Sequence, residues 1–298
     1  MAELNRLLNN NFDAPYGRAI AVSPLIRRLL APNPGPFTFR GTSAAIIGHG
    51  NVAIIDPGPD DPRHLEALRR ALDGSSLSHI LVTHTHRDHS PAARFLKQWT
   101  GAPICGFGPH PVQSEAAVEE GPDLEFVPDI VLRDADSITG DGFTLECVHT
   151  PGHTPNHICY ALREEDALFS GDHVMGWSTT VVAPPDGDMT DYFASLEKLQ
   201  ARDDRIYWPA HGGAISNPQE FVSALLQHRL TREAEILATV QAGVTRIPQI
   251  VQSVYRGLDG RLHHAAALNV LAHLNKLIRE RKVRAEGDGM AACYRAVG

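Results

Sequence analysis

The sequence predicts a mixed α/β layered domain followed by a small, mostly helical domain. Three observations carry this. Short apolar runs alternate with helical stretches through residues 1–220, the pattern of strands and helices packed in layers. From residue 221 onward the patterning turns almost wholly helical. The charge reverses at the same place: residues 1–220 carry 16 Lys/Arg against 29 Asp/Glu (−13), and residues 221–298 carry 11 against 6 (+5). We therefore expect one domain over 1–220 and a separate lobe over 221–298.

The elements follow in order. Residues 42–48 and 52–55 read as a hairpin, with His49-Gly50-Asn51 as turn material. Leu65, Leu68 and Leu72 recur at helical spacing within 62–72. A short apolar strand at 79–82 runs straight into a histidine-rich loop, a helix resumes over 92–99, and 103–106 is another strand. A second strand-rich block covers 126–132, 143–149, 157–162, 167–170 and 205–208, with a helix at 192–200 before the last strand. The tail reads as helices over 221–240, 247–255 and 263–280, then a β-wing from 282–285 and 291–296.

At 298 residues and 43% hydrophobic content the chain can bury a sizeable core, so disorder is excluded as its character. The N-terminal stretch lacks a long apolar segment after a basic start, and no apolar run approaches the ~18 residues of a membrane span. We expect a cytoplasmic protein with no membrane partner. Cys105, Cys147, Cys159 and Cys293 form no C-x-x-C pair and read as reduced, structural residues. The modestly basic tail fits a solvated helical surface or an anionic partner.

The chemistry concentrates in His84-Thr85-His86-Arg87-Asp88-His89, between an apolar strand and a helix. Strand C-terminal ends gather ligands in α/β folds, and this density of polar groups without capping logic serves a site. Further His and Asp residues follow later strands, each beside glycine: Pro151-Gly152-His153, Gly171-Asp172-His173 and Ala210-His211-Gly212. Glycine allows tight turns and close backbone approach. Any one of these is weak; together they describe metal ligands converging from distant sequence. Asp56 ends a strand on the same side and suits hydrogen bonding to the histidine-rich loop from behind.

The order H-x-H-x-D-H, G-H, G-D and a late G-H resembles the metallo-β-lactamase superfamily across residues ~40–215. The resemblance implies an αββα sandwich with a two-metal site at one edge. It implies His84, His86 and His153 on one metal, Asp88, His89 and His211 on the other, and Asp172 bridging them. Such N/O donors suit two Zn²⁺, and iron or manganese occupies similar sites. It further implies a metal-bridging hydroxide as nucleophile, with Asp88 orienting it and taking its proton.

Asp at 172 argues against a true β-lactamase, and the 38 residues 173–210 leave no room for a large inserted nuclease domain. THTHRDHS (83–90), TPGHT (150–154), FSGD (169–172) and the helical tail resemble the LACTB2-like branch, whose small C-terminal domain is winged-helix-like. That branch includes single-strand ribonucleases and polyketide thioesterases. The expected function is therefore hydrolysis of an ester or thioester carbonyl on a small-molecule or acyl substrate. Single-stranded RNA cleavage is the alternative, and a mono-iron oxygenase or nucleic-acid-binding module is the third. His173, Trp177 and Tyr192 are the candidates to face substrate. The tail frames the substrate or forms a homodimer contact.

Overall fold

A computed structural model describes residues 2–110 and 120–297. After a short helix α1 (Ala2–Leu7) come β1 (Ile20–Ala21), β2 (Ile26–Leu30), β3 (Ser43–Ile47) and β4 (Asn51–Ile55). Then follow α2 (Pro62–Leu72), β5 (Ser76–Leu81), α3 (Ala92–Thr100), β6 (Ile104–Gly106) and β7 (Ile130–Val131). These seven strands form one sheet in chain order, antiparallel up to β4 and parallel from β4 to β7.

The second sheet comprises β8 (Ser137–Gly140), β9 (Phe143–His149), β10 (Ile158–Leu162), β11 (Ala167–Gly171) and β12 (Ile206–Pro209), with α4 (Met189–Gln200) between the last two. Its order is β12-β11-β10-β9-β8, and only the β11–β12 pair is parallel. The tail contains α5 (Pro218–Gln241), α6 (Ile247–Val254), α7 (His263–Arg279), β13 (Val283–Glu286) and β14 (Cys293–Ala296). The last two strands pair antiparallel, so the expected wing forms.

Strand alternation explains the layers. Side chains of successive strand residues point to opposite faces. Ala45, Ile47, Ala53 and Ile55 join Leu145, Tyr160 and Phe169 in the core between the sheets. Ile46, Val52 and Ile54 face the other way and meet Leu68 and Leu72 of α2 and Leu96 of α3. On the far side, Val148, Cys159 and Leu168 meet Leu196 of α4 and Phe221 of α5. The αββα sandwich follows from those three apolar layers. α2 starts where Asp61 accepts a bond from the Arg63 N–H and Pro62 opens the helix.

Two expectations are corrected. Only Ile130–Val131 of the run 126–132 is a strand, because Pro128 has no N–H to give a ladder. The tail helix begins at Pro218 rather than 221, and it serves both parts: Val222 and Leu225 pack in the sandwich, Ile236 and Val240 in the lobe. Cys105, Cys147 and Cys159 are buried free thiols that burial pushes up to about 12. Among the described residues no helix is long and apolar enough to cross a membrane.

Candidate metal centre

The histidine-rich loop leaves the C-terminal end of parallel β5 and turns back at once: His89 and Ser90 N–H groups donate to the His86 carbonyl at 3.0 and 3.2 Å. Asp56, at the end of neighbouring β4, fixes this loop from behind. Its carboxylate accepts from the Thr83 N–H and hydroxyl, both at 2.7 Å, and from His89 Nδ1 at 3.0 Å. Asp56 holds the left-handed conformation (φ 49°) that brings its carboxylate there.

The other ligand-type residues enter from three strand ends. His153 follows β9 in a turn whose Gly152 (φ 138°) admits no side chain, since a Cβ there would stand 2.4 Å from the Tyr192 Cα. Asp172 follows β11 after Gly171 (φ 51°), where a Cβ would come within 2.5 Å of His157 Nε2. His211 follows β12.

Four of the imidazoles, those of His84, His89, His153 and His211, are oriented by an outer Nδ1. His153 Nδ1 donates to the Val181 carbonyl at 2.8 Å and His211 Nδ1 to the Gly41 carbonyl at 3.3 Å. The Thr83 hydroxyl gives its hydrogen to Asp56, so it accepts from His84 Nδ1 at 3.1 Å. A proton fixed on Nδ1 leaves Nε2 to face inward.

The seven side chains converge. Donor atoms of His84, His86 and His153 lie within 4.8 Å of one another, as do those of Asp88, His89 and His211, and those of His84, His89 and Asp172. His86 Nδ1 approaches His153 Nε2 to 3.3 Å. His211 Nε2 lies 3.2 Å from Asp88 Oδ2 and 3.3 Å from Asp172 Oδ2. His89 Nε2 lies 3.2 and 3.5 Å from the same two oxygens. Asp172 thus stands between the two triads.

The donor set fits divalent cations. All seven residues are buried, with Asp172 5% and Asp88 4% exposed. His84 Nε2 and Asp172 Oδ1 are buried without a hydrogen-bond partner, a costly state that a cation would relieve. Burial first, then neighbouring histidines, push His84 well below its ordinary range and His86 to about 3, so both are neutral and keep a lone pair. Against burial, Asp172 and Asp88 raise His211 to about 10, and Asp88 and Asp172 raise His89. The carboxylates draw positive charge into this spot, as a cation would supply it.

Of the three residues expected to face substrate, Trp177 alone lines a cleft, stacked on Phe39 at a centroid distance of 4.8 Å. Tyr192 is fully buried, its hydroxyl donating to the His173 carbonyl at 3.0 Å. His173 is fully buried and burial pushes it to about 3. Neither side chain reaches the surface of the cleft that Trp177 lines, which corrects the expectation that they face substrate there.

Three residues escaped the sequence reading. The Thr42 hydroxyl donates to Asp88 Oδ2 at 2.9 Å. His157 Nε2 accepts the Asp172 N–H at 3.2 Å. His110 reaches the Thr85 hydroxyl at 2.9 Å. No local motif marks them, because each acts through a contact distant in sequence.

Residues 37–211 match the metallo-beta-lactamase superfamily, and residues 247–292 match the beta-lactamase associated winged helix domain. The chain belongs to the metallo-beta-lactamase superfamily. It is 32% identical to a beta-lactamase-like protein 2 homolog of Caenorhabditis elegans, over 87% of this chain and 86% of that one. It is 32% identical to an atrochrysone carboxyl ACP thioesterase, dmxR1, of a Cryptosporiopsis species, over 74% of this chain and 64% of that one. A beta-lactamase domain protein from Burkholderia ambifaria has the same fold, with a TM-score of 0.82 and 22% identity, covering 100% of this chain and 99% of that one.

Proposed function

We propose that this chain is a metal-dependent hydrolase acting on an ester- or thioester-type carbonyl. The observation that carries this reading is the pair of buried donor triads, His84/His86/His153 and Asp88/His89/His211, with Asp172 between them. Two divalent ions held there, zinc by this donor set, would lower the pKa of a water to about 7 and stabilise oxyanion charge.

The chain's own residues do the rest. Asp88 takes the proton of the attacking water, and the Thr42 hydroxyl on Oδ2 holds that carboxylate in orientation. Asp56 keeps His89 and Thr83 in place. Residues 1–220 form the catalytic domain on this reading, and residues 221–298 the lobe that frames the substrate. The thioesterase name of one relative supports the carbonyl class over the phosphodiester class.

The test is a side-by-side assay on purified, metal-replete protein of an acyl thioester, a labelled single-stranded RNA and a β-lactam. Turnover is expected on the thioester. RNA cleavage without thioester turnover would replace this reading by the ribonuclease one. A single bound iron with oxygen consumption would replace it by the oxygenase.

A further inference from the structure

A cleft of about 180 Å³ opens between the catalytic domain and the lobe. One wall comes from Phe37, Trp177 and Val181, the other from Leu258, Leu262 and Ala266. It adjoins the donor cluster at three points. The Val181 carbonyl holds His153 at 2.8 Å, and the Thr180 hydroxyl donates to the Asp172 carbonyl at 2.7 Å. The Trp177 ring covers Gly212, where a Cβ would come within 3.2 Å of Cδ1.

The chemistry of the lining selects its occupant. No Lys, Arg, Asp or Glu stands among the described residues that line it. Three of its polar groups already donate within the protein: Thr180 on Asp172, the Ser178 hydroxyl on the Thr179 carbonyl, and Asn269 Nδ2 on the Ala265 carbonyl, while the Trp177 Nε1–H is buried without a hydrogen-bond partner. The Asn269 oxygen accepts from Arg229 and the Val182 N–H. A polyanion needs Lys or Arg against its phosphates, and this surface supplies none. What it supplies is a narrow, largely apolar surface suited to an alkyl chain.

We propose that this cleft is an acyl-chain subsite, which takes the uncharged apolar part of the substrate while the cleaved carbonyl lies at the donor cluster. The proposal rests on the hydrolase reading for its substrate and adds the class of acyl group: apolar, not acidic or polyanionic. The lobe is then a specificity element, because Leu258, Leu262 and Ala266 belong to it.

The experiment compares acetyl and decanoyl thioesters on the full-length wild type, Leu258→Asp and Ala266→Trp, with decanoate binding read by tryptophan fluorescence. Decanoyl kcat/KM is expected to exceed acetyl by at least 10-fold, and each variant to shrink that ratio by about 10-fold or more, chiefly through KM. Decanoate binding should weaken in parallel, while unchanged melting temperatures show that the variants fold. Equal turnover of both thioesters, with no decanoate binding, would overturn the subsite and leave the hydrolase intact. Decanoate binding lost in Leu258→Asp, without turnover of any thioester, would support the subsite and remove the hydrolase reading. A dimer whose cleft is closed to decanoate would also overturn the proposal.

Discussion

His89 Nδ1 donates to Asp56 Oδ2 at 3.0 Å, and the same carboxylate takes both hydrogens that Thr83 offers. One buried side chain thus fixes the start and the end of the histidine-rich loop. Asn at 56 keeps one acceptor oxygen and replaces the other by an NH₂ that opposes one of those donors. Asp56→Asn is therefore expected to weaken metal retention about 10–100-fold, read as the chelator concentration that strips half the metal. Unchanged retention would show that the loop is held by its own turns.

Asp88→Ala should abolish hydrolysis and leave the fold. The side chain lies at the meeting point of His89, His211 and Thr42, at the edge of the sandwich rather than in its apolar layers. Loss of a positioned base costs about 10²–10⁴-fold. Wild-type protein purified without chelator is expected to carry two metal ions per chain, mostly zinc, and the variant fewer. A variant with two ions and more than a tenth of wild-type kcat/KM would remove Asp88 from the mechanism.

How much of this was legible in the sequence depends on how local each signal is. The loop 84–89 was legible because four ligand-type residues within six positions have no packing explanation. His153, Asp172 and His211 were legible through the glycines beside them, and the clashes that a Cβ would meet at Gly152 and Gly171 give the reason for the first two. Residues 1–41 went unread although β1 and β2 lie there, because β1 has only two residues and β2 carries Arg27 and Arg28 amid its apolar ones. Tyr192 was misread because aromatic character alone does not tell a wall from a floor; on α4 it turns into the core beside Leu196. The lobe cleft could not be read at all, since its lining comes from three segments far apart in the sequence, 36–37, 175–181 and 255–269.

His228 makes stability depend on pH. Burial first, then Arg229 and Arg232, hold it at about 3, and its Nδ1 is buried without a hydrogen-bond partner. The unfolded chain binds a proton there near the ordinary ~6.5. Between pH 6.5 and about 3 the unfolded state therefore holds more protons, and stability falls as pH drops through that window. His228→Gln should lose less melting temperature than wild type between pH 7.5 and pH 5. Parallel losses would place the acid sensitivity at other buried groups.

Arg229 couples the lobe to the centre. It is 3% exposed, stacks over the Tyr192 ring at 5.2 Å, and gives hydrogen bonds to the Thr180 carbonyl and to Asn269 Oδ1. Asn269 in turn accepts the Val182 N–H. The lobe thus grips residues 180 and 182, and the carbonyl between them, Val181, orients His153. Arg229→Met keeps the length and apolar stem but removes the donors, each worth about 1.5–3 kcal/mol when the donor is charged. A melting-temperature fall of roughly 5 °C or more is expected at the ~2–4 °C per kcal/mol typical of this size. If the grip also sets His153, metal retention falls too, and Arg229→Lys restores part of it. A lower melting temperature with unchanged retention would make Arg229 a stabilising residue only, and the lobe would then not reach the centre through this strand of contacts.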